Sequence, residues 1–203
     1  MINQDLRSRG SRREQILACA LGLFAEHGLH NVSTRQIAQA AGVSQPSLYA
    51  HFPTRDAIAV ELCCRAFGSL QSQLAHASQS ETDPLARIRA IARTYIDFGL
   101  RNEAAYRVAF MLDMPAEHVD ENHRVLAAGV AAFGVLQNAF DDLHADAGQG
   151  QLDAQSAWAA MHGLVSLLLV RPQFPFADRD LLIETHLQRI GQAIPALALS
   201  GET

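Results

Sequence analysis

The chain has 203 residues, 49% of them hydrophobic and 18% charged, too apolar for a disordered polymer and long enough for a sizeable core. No apolar run approaches the roughly 18 residues of a membrane span, and Met1–Arg13 lacks a leader's apolar centre. The expected compartment is therefore the cytoplasm, with no membrane partner, and Cys19, Cys63 and Cys64, odd in number and partly adjacent, make no disulfide framework.

The net charge of −5 hides an asymmetry. Residues 1–55 carry six arginines against three acids, whereas residues 56–203 carry ten against eighteen. A basic head on an acidic body is expected if only the head meets phosphate. The chain contains no lysine, so arginine supplies every long cationic side chain.

The periodicity is helical throughout, so the expected class is all-α. A first helix is predicted from about Arg12 to His27, with Ile16, Leu17, Ala20, Leu23 and Phe24 on one face and Gly28 closing it. Residues 1–11 are expected to form a flexible arm. Ser33 to Gln36 fits a capping box that opens a short helix to Ala41, and Gly42 breaks it. Ser44 caps a third helix from Gln45 to about Phe52, with Pro46 tolerated in its first turn. Pro53 stops that helix, and Thr54 caps a fourth with Ile58, Leu62, Ala66 and Leu70 along one side.

Farther along, helices are predicted from Asp83-Pro84 to about Arg101, from Glu103 to Met111, and from about Val119 to His144. Gly148–Gly150 reads as a loop. Asp153 then opens an apolar helix to Val170, ended by Pro172 and Pro175, and Arg179–Ile194 forms the last helix, stopped at Pro195.

The informative segment is Val32–Arg55. Ala38 is small where two helices must cross closely, and Gly42 supplies the positive φ of a tight turn. Ile37, Ala41, Val43 and Leu48 are placed to pack inward. This is the layout of a helix-turn-helix, whose second helix enters the major groove. That helix offers hydrogen-bonding groups outward. Gln45 can read adenine bidentately, Ser47 can donate or accept, and Pro46 can touch a thymine methyl. Tyr49 and His51 suit phosphate oxygens. Thr34 and Arg35 can reach the backbone, with Arg35 able to extend to a guanine edge, and Arg55 at the start of the fourth helix suits a phosphate.

Over residues 12–60 the chain resembles the DNA-binding domain of the TetR family. The resemblance is carried by the Gly28 turn, Ser33-Thr34-Arg35 with Ile37-Ala38, Ala40-Ala41-Gly42-Val43-Ser44, and Leu48-Tyr49 with His51-Phe52 ahead of a basic residue. It implies base contacts from Arg35, Gln45, Pro46 and Ser47, and phosphate contacts from Thr34, Tyr49, His51 and Arg55. Arg55 stands where the family usually carries lysine, which keeps the charge. Ala157-Trp158-Ala159-Ala160-Met161-His162-Gly163 resembles the signature of a C-terminal subclass called the WHG domain.

The resemblance implies a homodimer formed through the last two long helices, for which Leu164, Leu167, Leu168, Leu181, Leu182 and Leu187 supply extra apolar faces. It also implies an effector pocket among the fifth to eighth helices. Phe98, Phe110, Met111, Met114, Phe133, Trp158, Met161 and His162 are candidate walls, bulky and adaptable with an occasional polar handle. Asp113, Glu117, His118, Asp120, Glu121 and His123 crowd one junction and read as a solvated acidic turn, so no metal is expected. Cys63 and Cys64 point about 100° apart on a helix, which suits one packed and one near the surface.

The expected organisation is a helix-turn-helix domain over residues 1–55 and a helical effector-binding and dimerisation domain over 56–203. The expected function is a repressor that binds a palindromic operator as a homodimer and is released by an apolar or amphipathic small molecule, without a cofactor. A ligand-requiring activator of the same fold is the alternative, and a small-molecule-binding helical protein without DNA function is the alternative of another class. No Gly-rich phosphate loop, Gly-x-Ser-x-Gly or His-Glu-x-x-His points to an enzyme.

Overall fold

A computed structural model describes the backbone over residues 2–111, 119–144 and 147–198, and side chains over 12–111, 123–144 and 148–191. Nine helices and no strands are present among the described residues: α1 (Ile2–His27), α2 (Thr34–Ala40), α3 (Gln45–Tyr49), α4 (Arg55–Gln79), α5 (Pro84–Arg101), α6 (Glu103–Met111), α7 (Val119–Asp141), α8 (Ala147–Val170) and α9 (Arg179–Ala198). The all-α class follows from the 3–4 spacing of apolar residues, and no described helix is long and apolar enough to cross a membrane.

The chain packs as two compact units, each discontinuous in sequence. The first comprises residues 1–68 and 102–129, the second residues 69–101 and 130–203. In the first unit, α1 presents Ile16, Leu17, Ala20 and Phe24 to Ile37, Ala38, Leu48, Phe52, Ile58 and Leu62, all buried. Removing such side chains from water stabilises the fold by about 1.5–3 kcal/mol each for the larger aliphatics and aromatics. α6 also packs on α1 and contributes Val108 to this core. In the second unit, α5 lies against α8 and α9. Ile88, Ile91, Tyr95 and Ile96 of α5, Met161 and Val165 of α8, and Ile183 and Leu187 of α9 are buried there.

α3 ends at Tyr49 and α7 at Asp141, three residues short of the expected ends, and three boundaries differ by more. α1 starts at Ile2, not near Arg12; residues 2–11 contain no proline, and a helix nucleated by its buried half propagates at little cost. The expected loop Gly148–Gly150 is instead the first turn of α8, which begins at Ala147, not Asp153. Gly150 is there because of space: a Cβ on it would lie 2.2 Å from Asp141 Oδ1 and 3.0 Å from Asp141 Cα. The glycine lets the end of α7 approach α8 closely. α9 continues past Pro195 to Ala198, since an interior proline removes one hydrogen bond and a helix can absorb that by bending.

Candidate nucleic-acid interface

The candidate interface rests on two capped short helices. Ser33 has extended backbone and its hydroxyl accepts from the Gln36 amide at 3.3 Å, while Gln36 Oε1 accepts from the Ser33 amide at 2.8 Å. This reciprocal box satisfies amides at the start of α2 that would otherwise lack partners. Ser44 does the same for α3, accepting from the Ser47 amide at 3.3 Å, with Pro46 in the first turn. Between them Gly42 adopts φ +63°, and the Val43 amide bonds to the Ala38 carbonyl at 3.0 Å. Nothing lies within 4 Å of a Cβ built on Gly42, so the residue is needed for its left-handed backbone, not for room.

Leu48 anchors α3 with its side chain fully buried, and Ile37, Ala38 and Ala41 are buried beside it, with Val43 half-buried. The opposite side of α3 is open. Gln45, Pro46 and Tyr49 are exposed and Ser47 is half-buried. Tyr49 is 49% exposed, high for a large aromatic ring, and its hydroxyl lies 3.0 Å from the Thr34 hydroxyl. That pair ties the start of α2 to the end of α3. Arg35 is exposed next to Thr34, and His51 is half-buried in the turn after α3. Arg55 is held differently. Its guanidinium donates to Asp56 at 2.9 Å and reaches the Val32 carbonyl at 3.5 Å, which fixes the start of α4 to the loop before α2.

The expected effector residues fall in both units. Phe98, Phe133, Trp158, Met161 and His162 belong to the second, Phe110 and Met111 to the first, and Met114 lies outside the described residues. Phe98 and Met161 are buried, whereas Trp158 is 38% exposed. Trp158 lies 5.6 Å from Phe133 with the two rings tilted by 51°, and its indole N–H donates to the Tyr95 hydroxyl at 3.2 Å. Tyr95 lies 3.4 Å from His162 Nδ1, and His162 Nε2 lies 3.3 Å from the Ser166 hydroxyl. Burial holds the His162 pKa below its ordinary value, favouring the neutral ring. Tyr95 and Ser166 were not among the candidate walls; the i, i+4 spacing of His162 and Ser166 was readable, but the reach from α5 to α8 has no local signal. Phe110 meets Phe67 edge-on at 5.0 Å and Tyr106 at 4.7 Å.

Cys63 is buried and its thiol donates to the Val108 carbonyl at 3.3 Å, while Cys64 is half-buried. Burial pushes the Cys63 thiol up to about 12. Of the acidic junction, Asp113, Glu117 and His118 lie outside the described residues, as do the side chains of Asp120 and Glu121; His123 is exposed.

A polar, exposed helix held on a glycine turn beside a buried neighbour, with no strand among the described residues, has the layout of a helix-turn-helix DNA-binding regulator. Residues 16–62 match the model described as bacterial regulatory proteins of the tetR family, and residues 88–190 match a tetracyclin repressor-like C-terminal domain. The chain belongs to the TetR family. It is 31% identical over 159 residues to the HTH-type transcriptional activator FasR of Mycolicibacterium smegmatis, covering 78% of this chain and 69% of the relative. It is 29% identical over 109 residues to the nucleoid occlusion factor SlmA of Haemophilus ducreyi, covering 53% of this chain and 54% of that one. Among solved structures, FadR from Bacillus subtilis in complex with stearoyl-CoA superposes with a TM-score of 0.73 at 15% identity, covering 87% of this chain and 96% of that one.

Proposed function

We propose that the protein is a homodimeric repressor that binds a palindromic operator through Thr34, Arg35, Gln45, Pro46, Ser47, Tyr49, His51 and Arg55, and leaves it when an apolar or amphipathic effector binds. The observation that carries this reading is the open Gln45–Pro46–Tyr49 face of α3, capped and braced by Thr34 with no packing role of its own. Residues 1–55 would serve DNA and residues 56–203 the effector and the partner subunit, in the cytoplasm. Leu167 and Val170 on α8, Phe174 after it and Leu181 on α9 are large apolar side chains left 47–63% exposed. This supports dimerisation through these helices, since exposed apolar patches mark interaction surfaces. Leu164 and Leu187 are core instead.

For the effector, Phe133 and Trp158 adjoin a short polar string of Tyr95, His162 and Ser166, with Phe98 and Met161 buried in the same unit, which suits a hydrocarbon with a polar head. The stearoyl-CoA named with FadR of Bacillus subtilis makes a long-chain acyl thioester the first compound to try. The two half-sites of a palindrome lie about 34–36 Å apart, so an effector that alters the spacing of two α3 helices would release the DNA.

An activator is the second reading, favoured by the activator FasR being a 31% identical relative. The test is fluorescence anisotropy on DNA from immediately upstream of the gene, with a scrambled duplex, at two salt concentrations. Stearoyl-CoA is then added. Salt-sensitive binding that prefers the native duplex and falls with stearoyl-CoA supports the repressor; binding that rises supports the activator. Gln45→Ala with Tyr49→Phe should weaken the specific complex by at least about fivefold, as expected when a base-reading pair worth about 1–3 kcal/mol is lost. Stearoyl-CoA affinity should stay unchanged. No binding to either duplex by the unaltered protein, with or without stearoyl-CoA and even at low salt, would defeat the DNA-binding roles.

A further inference from the structure

Arg13 lies on α1, outside the elements that carry the candidate DNA-reading face, yet it touches the residue that closes that face. Its guanidinium sits 4.7 Å from the centroid of the Phe52 ring and donates to Glu61 Oε1 of α4 at 3.1 Å. Phe52 is buried, and its amide bonds to the carbonyl of Leu48, the buried anchor of α3, at 2.9 Å. Glu61 also accepts from Arg65 at 2.8 Å, and Arg65 grips both carboxylate oxygens of Glu14 at 2.6 and 2.8 Å. The four charges alternate in sign between α1 and α4. Bidentate arginine–carboxylate pairs fix orientation as well as distance. A cation over a ring face adds attraction with its own directional demand. Glu14 and Glu61 are both held below the ordinary carboxylate range by these arginines.

We infer that Arg13 is a positioning residue for α3: seated between the Phe52 ring and Glu61, it transmits the setting of α4 to the DNA-reading helix. The proposal rests on the reading of α3 as the DNA-reading helix. Arg13 spends its charge inside the protein, on Glu61 and on the Phe52 face, which distinguishes it from a phosphate ligand. A planar guanidinium can stack and donate at once, whereas an ammonium cannot reproduce both.

Charge alone and positioning predict different outcomes. Arg13→Gln removes a positive charge and Glu61→Gln a negative one, so simple electrostatics moves DNA affinity in opposite directions. Positioning moves sequence discrimination in the same direction, downward. The experiment uses the full chain and a duplex selected by the unaltered protein from a randomised pool. Specific and non-specific affinities are measured across a salt series, with circular dichroism melts as a check on folding.

Arg13→Gln should lower the ratio of specific to non-specific affinity by about tenfold, the loss of a ring contact together with a half-exposed ion pair, and Glu61→Gln, which leaves the ring contact in place, should lower it by less. Their salt slopes should stay unchanged. Arg13→Lys, which keeps charge and fold, should give a smaller loss of the same kind and serves if Arg13→Gln melts early. A fall in slope of about 0.9 for Arg13→Gln, with specific and non-specific binding weakened equally, would make Arg13 a phosphate ligand and overturn the proposal. Unchanged ratios in both variants would overturn it while leaving the DNA-binding reading intact. Failure of the unaltered protein to select any sequence would remove both.

Discussion

Gly150→Ala pits helix propensity against packing, and the two disagree in sign. Alanine is favoured over glycine inside a helix by about 1 kcal/mol, so Gly150→Ala in α8 should stabilise the protein if α8 were free on that side. The structure places Asp141 there. The new Cβ would fall 2.2 Å from Asp141 Oδ1, which a side-chain rotation can relieve, but also 3.0 Å from Asp141 Cα and 3.1 Å from its amide nitrogen. Those backbone atoms sit at the end of α7 and can yield only if the helix ends separate. Overpacking of this kind costs about 1–3 kcal/mol. Set against the propensity gain, a net loss of up to about 2 kcal/mol remains. Gly22→Ala on α1 is the matched control: the site is exposed, and nothing lies within 4 Å of its added Cβ, so it should gain about 0.5–1 kcal/mol. Urea midpoints at one fixed protein concentration read both, because association would make stability concentration-dependent. Stabilisation by Gly150→Ala would show that α7 and α8 do not meet this closely.

Other outcomes follow from single features. Gly42→Ala should cost about 1 kcal/mol from the left-handed backbone alone, and Gly42→Asn less, because φ is +63° with free space around it; equal stability of the two variants in urea would contradict that cause. Glu14 and Glu61 have lowered folded-state pKa values, so their stabilisation is complete above about pH 4.5 and is lost as pH falls through the lower folded-state values. Arg65→Gln should therefore flatten the acid limb of a plot of urea midpoint against pH, and an unaltered limb would count against the network. With its thiol pushed up to about 12, Cys63 should hold a thiolate fraction below about one in ten thousand at pH 7.5. Iodoacetamide should then spare Cys63 in the folded protein, while full labelling before unfolding would mean the α4–α6 packing opens readily.

The features legible in advance were those written in short stretches of chain. The turn between α2 and α3 needs only a Ser-x-x-Gln box, a small Ala38, a left-handed Gly42 and a Ser44 cap, all within a dozen residues. Those determinants act locally, so type and spacing in the sequence suffice to place Gln45, Pro46 and Tyr49 outward and Leu48 inward. Gly150 carries the same letter as Gly42 but serves a different end. At Gly42 the backbone demands glycine; at Gly150 a neighbouring helix does, and nothing in the local sequence distinguishes a turn from a close approach. Reading both as breakers therefore succeeded once and failed once.

The same distinction separates the outward face of α3 from what aims it. A side chain that meets solvent is specified by its own helix period, whereas Arg13 acquires its role from Phe52 and Glu61, 39 and 48 residues away. An arginine on the first helix of a basic head has two destinations in principle, phosphate or carboxylate, and composition cannot choose between them. The choice is made by Glu61, a half-buried carboxylate with Arg65 already beside it. A second arginine at that carboxylate is repelled by the first unless another acceptor shares the load, and Glu14 supplies it by taking both terminal nitrogens of Arg65. Arg13 is then left free to pair with Glu61 and lie over Phe52. The charge excess of residues 1–55 thus overstates what is available to DNA. Arg13 is committed to Glu61, Arg55 shares its charge with the adjacent Asp56, and of the arginines with described side chains in that segment, Arg35 is exposed beside Thr34.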